Sequence, residues 1–208
     1  MTKWIIGAVA LLVIIAGVAF IFKDSLFGGG STQEPIATST PQVMPTAATY
    51  ASSTTGVSLM YPSNFIMSEE YVNEAFGAKK AIHGVSFTVP VEMATGTNLS
   101  SDTRLSVEQL PRAKKCTADI YILENVKAQN MTIGSTTYSV ASTTGAAAGN
   151  RYEEIVYALP DSSPCTATRY FIHYGAIENY PVGTVREFDR SALLMRFDAI
   201  RDSLKVGM

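Results

Sequence analysis

The sequence predicts an α+β fold: an antiparallel sheet packed by helices, behind one N-terminal transmembrane helix. Three observations carry this. Alternating apolar and polar residues recur in the middle of the chain, as in Val85-Ser86-Phe87-Thr88-Val89, the period of a half-buried strand. The last stretch repeats apolar residues at helical spacing instead, at Leu193, Phe197, Ile200 and Leu204. Trp4 to Phe22 is an unbroken run of apolar and glycine residues. As a helix it would reach roughly 28 Å, close to the hydrocarbon thickness of a bilayer.

A cleaved secretory leader has a shorter apolar core and ends in small residues, whereas this run closes on Phe20-Ile21-Phe22-Lys23-Asp24. No cysteine follows it for lipid attachment, and no carboxylate follows Gly7 as a pilin-like helix would require. Residues 1–24 are therefore read as a signal anchor that holds the chain in the membrane. Lys3 and Lys23 flank the run almost symmetrically, so the positive-inside rule gives little preference. The short leading tail and the downstream cysteine pair favour placing the C-terminal part outside the cytoplasm, in a single-pass cell-membrane protein.

Residues 25–49 read as a linker. Gly28 to Ser31 is a flexible hinge, and Pro35, Pro41 and Pro45 stiffen the remainder of the segment. Glycine, serine, threonine and proline dominate, and such a chain cannot bury enough surface to offset its conformational entropy. A tether is the favoured reading and a glycosylated stalk the alternative.

Residues 50–208 suit one extracytoplasmic domain. Gly56 to Tyr61 forms a strand that stops at Pro62-Ser63-Asn64, and Phe65-Ile66-Met67 begins another. Val85 to Val89 is a third, and Leu105 and Val107 continue the style up to Pro111. In Thr117 to Val126, Ile120, Leu123 and Val126 share a helical stripe, which predicts a short helix. Met131 to Gly134 and Thr137 to Val140 predict a hairpin around Gly134-Ser135, followed by a small-residue connection over Ser142 to Asn150. Tyr152 to Leu159 and Cys165 to Tyr174 predict a second hairpin across a proline-rich turn. Asp189 is a good N-cap for the terminal helix, with Arg190 and Arg201 beside its apolar stripe and free to snorkel.

The chain carries 16 basic and 18 acidic residues. With Lys3 and Lys23 set aside, 14 basic residues face the 18 acidic ones, a balance of −4 that gives no footprint for nucleic acid. Lys79-Lys80 and Lys114-Lys115 are isolated pairs along the chain. Cys116 and Cys165 are the only cysteines. Their spacing, even with His83 and His173 added, fits no zinc site, and neither sits in a nucleophile context. An intramolecular disulfide is the favoured reading; two free buried cysteines are the alternative.

The opening GVSLMYPSNF resembles the start of PsbP-like and Mog1-like domains, and the close FDRSALLMRFDAIRDSLK resembles their final helix and tail. Leu204 stands where that family often has phenylalanine, and the cysteine pair is no hallmark of it. The resemblance implies an antiparallel sheet sandwiched by helices. It implies little chemistry, because such domains bind or scaffold without a shared catalytic set.

No catalytic motif stands out: there is no G-x-S-x-G, no H-E-x-x-H and no P-loop, and no catalytic residue, metal site or cofactor is assigned. Glu69, Glu70 and Glu74 are read as a solvated face. His173 shares a strand face with Arg169 and Phe171, while Tyr170, Ile172 and Tyr174 face the other way. His173, Tyr174, Glu178, Tyr180 and Arg186 are the candidate binding residues, the last three in the excursion before the terminal helix. The expected function is a binding or structural module of the cell envelope that holds a partner protein or envelope component. The alternatives are an envelope hydrolase using His173 and a pilin-like subunit.

Overall fold

The computed structural model describes residues 46–207. The apolar run Trp4 to Phe22 and almost all of the linker lie outside the described residues. Among those described, no helix is long and apolar enough to cross a membrane.

Two antiparallel sheets organise the domain. Strands β1 (Ala47–Ser52) and β2 (Val57–Pro62) form a hairpin, and β10 (Lys205–Val206) pairs with the other side of β2. The larger sheet comprises β3 (Ile66–Asn73), β4 (Ile82–Thr88), β5 (Arg104–Leu110), β6 (Gln129–Ile133), β7 (Thr136–Ala147), β8 (Asn150–Leu159) and β9 (Cys165–Gly175). Its strand order is β3-β4-β5-β9-β8-β7-β6. Every pairing is antiparallel, and the chain's last long strand, β9, is inserted at the centre. A four-residue helix α1 (Val91–Ala94) follows β4, and the terminal helix α2 (Arg190–Asp202) precedes β10.

One face of the large sheet is covered by α2 and the small sheet. Leu193, Phe197 and Ile200 of α2 pack with Phe87, Leu105, Tyr170 and Ile172 of the large sheet and with Val57 and Leu59 of β2. Burying such side chains stabilises by about 1.5–3 kcal/mol each. The Asp189 carboxylate accepts a hydrogen bond from the Ala192 amide at 2.9 Å, so α2 starts where the sequence predicts. Asp189→Ala is expected to destabilise the domain by about 1 kcal/mol in urea unfolding, with Asp189→Asn retaining most of the stability. At the other end the Ser203 hydroxyl donates to the Met60 carbonyl and accepts from the Met60 amide, tying the helix to β2. Arg201 does not snorkel. It is 3% exposed, with its guanidinium 4.5 Å over the Tyr157 ring and paired with Asp198 and Asp202.

The opposite face departs from the sandwich of helices that the family resemblance implies. An irregular segment, residues 111–128, packs on Ile82, Ala141, Val156, Ala158 and Ala167 of that face. The helix predicted over Thr117 to Val126 is a single 3-10 turn, Ala118–Tyr121. Its backbone is committed elsewhere. The Tyr121 carbonyl accepts from Arg169, the Ala118 amide donates to the Ser139 hydroxyl at 3.1 Å, and the Tyr121 hydroxyl donates to the Cys165 carbonyl at 2.7 Å. Leu123, assigned to the helical stripe, is 64% exposed. Cys116 and Cys165 are joined by a disulfide that fastens this segment to the start of β9.

Two further boundaries differ from the sequence reading. β1 begins at Ala47, inside the segment assigned to the linker. The small-residue connection over Ser142 to Asn150 is strand: β7 runs through Ala147 before a tight turn at Ala148-Gly149, where both residues take positive φ. β6 covers only Thr136 to Val140 of β7, so Ser142 to Ala147 form an open sheet margin among the described residues.

Candidate functional site

β9 alternates between the two faces of the large sheet. Thr168, Tyr170 and Ile172 point into the α2 core; Ala167, Arg169, Phe171 and His173 point to the other face. β5 does the same beside it, with Leu105 and Val107 on the core side and Arg104, Ser106 and Glu108 opposite.

Beneath the disulfide-fastened segment lies a buried polar network. Arg169 donates to Glu108 at 2.8 and 3.1 Å, and also to Glu154 and to the Tyr121 carbonyl. The Ser106 and Tyr71 hydroxyls donate to the same Glu108 oxygen, at 2.9 and 3.0 Å. The Arg169 and Glu108 side chains are 4% and 0% exposed. Burial works against the Arg169 charge, but Glu108 and then Glu154 outweigh it and hold the guanidinium protonated beyond its usual range. Burial, then the Glu108 charge, pushes the Tyr71 phenol up.

Past this network the face carries partly exposed side chains, and its aromatic residues Tyr71, Tyr152 and Phe171 belong to neither hydrophobic core. The Arg104 guanidinium sits 4.3 Å from the centre of the Phe171 ring and 5.5 Å from that of Tyr71. Tyr152 on β8 lies 6.2 Å from Phe171 and stacks on His173 at 4.5 Å, the planes only 19° apart. The result is a continuous shelf, Tyr71–Arg104–Phe171–Tyr152–His173, of flat and partly exposed groups.

His173 is fixed by the loop preceding β5. The Ser100 amide and the Thr103 hydroxyl donate to the His173 carbonyl at 2.8 and 3.0 Å. The Asp102 carboxylate meets His173 Nδ1 at 2.7 Å. Burial disfavours the Asp102 carboxylate, yet hydrogen bonds from Ser100 and His173 and the His173 charge outweigh it, so its carboxyl titrates below the usual value. That contribution to stability is present at neutral pH and is lost as pH falls through the lowered value. His173 Nε2 is buried and has no hydrogen-bond partner among the described residues, while Asp102 orients the ring that stacks on Tyr152.

The five sequence candidates fall in three places. His173 is on the shelf. Tyr174 faces the other side of β9, where its hydroxyl donates to Glu153 at 3.1 Å and its ring lies 5.2 Å from Phe188. Glu178 is exposed in the 3-10 turn Ile177–Asn179. The Tyr180 ring folds back over Gly175, whose missing side chain leaves the room: a Cβ there would collide with the Tyr180 hydroxyl. Arg186 is exposed and joins the 96–98 segment through its backbone. Tyr174 and His173 are thus adjacent in sequence but separated by the sheet.

Sequence reasoning does not single out Asp102, Arg104, Tyr152 or Tyr71. One signal is available. Arg104, Ser106 and Glu108 alternate with Leu105 and Val107, which marks β5 as a strand with a polar face. The pairing of that face with Arg169 and Phe171 is a property of the strand order.

No family model matches the chain, and no curated protein matches it. Solved structures with a similar chain arrangement include a protein from Bacteroides thetaiotaomicron VPI-5482, with a TM-score of 0.44 and 12% identity over 77% of this chain. The match spans about half of that protein, 48% of its length. They also include the solution structure of cyanobacterial PsbP (CyanoP) from Synechocystis sp. PCC 6803, with a TM-score of 0.41 and 15% identity over 84% of this chain and 100% of that one. These structures are what the chain is similar to, and no function is drawn from them.

Proposed function

We propose that the chain is a membrane-anchored, extracytoplasmic binding module that holds a partner protein of the cell envelope on the shelf of its large sheet. One observation carries this reading. The shelf presents arginine and tyrosine, the residue types that dominate protein-binding hot spots, as partly exposed side chains on the sheet face opposite α2. The apolar run Trp4 to Phe22 supports the anchor and the cysteine pair supports an oxidising compartment.

The test places a photo-crosslinking amino acid at Tyr152 of the full chain in intact cells, with a second at Val182, which is fully exposed and far from the shelf in sequence. Tyr152 should capture one defined envelope protein that Val182 does not. Arg104→Ala combined with Phe171→Ala should reduce that capture about tenfold or more, in keeping with two hot-spot side chains, while the unfolding midpoint moves little. Capture unchanged by the double substitution would remove the shelf as the binding surface. External protease should release the domain from the same cells by cutting before Ala47; full protection would reverse the topology.

A further inference from the structure

A second surface lies at the other end of the large sheet. The 3-10 turn Ala78–Lys80 and the segment after β5 face each other across a groove of about 960 Å³. Lys79, Lys80, Arg112, Lys114 and Lys115 line it, all five exposed, and Asp119 is the sole acidic residue among the lining side chains. Two lysine pairs that are isolated along the chain are thereby gathered into one place. None of the five cations takes part in an ion pair among the described residues, where the ion pairs use Arg169, His173, Arg190 and Arg201. The chain as a whole is slightly acidic. Five cations against one carboxylate raise a local positive potential in the groove, an arrangement suited to an anion.

The floor decides which anion. Leu110, Pro111, Ala113 and Ile120 line the groove between the cations. A phosphate polymer would engage the cations and leave this floor unused. A bilayer needs apolar groups that lead and cations that follow; here the five cations are exposed while Leu110, Ala113 and Ile120 are half-buried. A peptide that alternates carboxylate and apolar side chains satisfies both parts, with the carboxylates on the rim and the apolar groups below. The disulfide at Cys116 anchors the segment that supplies three of the five cations, so the groove has a fixed wall.

We propose that this groove docks an acidic, apolar-containing peptide segment of a partner protein. The site is separate from the aromatic shelf, and its test does not depend on that reading. The full chain is reconstituted in nanodiscs of neutral lipid. Its binding is measured by fluorescence anisotropy to a labelled peptide of alternating glutamate and leucine, and to a control peptide with serine in place of leucine. Inorganic polyphosphate competes against the labelled peptide, and co-sedimentation with phosphatidylglycerol vesicles is measured separately.

The glutamate–leucine peptide should bind, and its affinity should fall as salt rises. K79E/K80E and K114E/K115E should each weaken it about tenfold or more, since each pair supplies rim charge from a different segment. K79Q/K80Q should weaken it in the same direction without adding negative charge. Binding that survives either charge reversal overturns the proposal. Equal binding of the serine peptide, or tighter binding of polyphosphate or of the vesicles, overturns the peptide as occupant.

Discussion

Glu108→Ala is expected to destabilise the domain by about 3–5 kcal/mol, because it leaves the Arg169 guanidinium buried without its principal carboxylate. Glu154 remains, but it is 29% exposed on its side chain and sits at the edge of the network. The Ser106 and Tyr71 hydroxyls lose the acceptor they share, which adds the cost of unsatisfied donors. Replacing both partners, as in Glu108→Leu with Arg169→Met, should recover the part of the loss due to the stranded charge but not the part due to the Ser106 and Tyr71 hydroxyls, which stay without an acceptor. Urea unfolding followed by near-ultraviolet circular dichroism reads this cleanly. All ten tyrosines lie within the domain, and the one tryptophan, Trp4, lies outside the described residues. A loss below about 1 kcal/mol for the single variant, the range of an exposed pair, would show that the charge finds water or another partner and that the network is not sealed.

Reduction of the Cys116–Cys165 disulfide is expected to cost about 4 kcal/mol, the chain-entropy value for closing a loop of this length. The bond spans a sequence separation of 49 and ties the 111–128 segment to the central strand. The segment is largely irregular and contributes Tyr121 and Ile122 to a core dominated by small residues such as Ala118, Ala141, Ala158 and Ala167. Beside the bond, it is held by these contacts and by the hydrogen bonds of Ala118 and Tyr121. Reduced protein should lose the segment first and expose the network beneath it, seen as faster proteolysis near Lys114 and Lys127 before global unfolding. Two thiols should become reactive to alkylation only after reduction. Alkylation of the untreated protein would show that the bond is absent in the cell-derived chain, and equal stability of both forms would show that the segment packs without it.

Strands are legible in the sequence wherever one face is apolar and the other polar. Val85 to Val89, Tyr152 to Leu159 and Cys165 to Tyr174 are strands because their alternation fits a pleat, and Asp189 with its apolar stripe marks α2. The extension of β7 through Ser142 to Ala147 is hidden because serine, threonine, glycine and alanine here show no apolar periodicity; its pairing with β8 imposes the conformation. The Thr117 to Val126 stripe has helical spacing, but a tertiary demand for the Tyr121 carbonyl overrides it. His173, Phe171 and Arg169 share one face as expected, since that arises from strand alternation alone. Asp102, Arg104 and Tyr152 reach them from neighbouring elements, and strand order is not written in any local pattern.

The margin of β7 that outruns β6 has a practical consequence. Ser142 to Ala147 form a stretch of exposed backbone donors and acceptors with no charged side chain and no proline to blunt it. In concentrated preparations this seam is expected to promote association, because among the described residues it offers hydrogen bonds to any extended chain that drifts against it. A lysine in place of Thr144 is the smallest change that would close it.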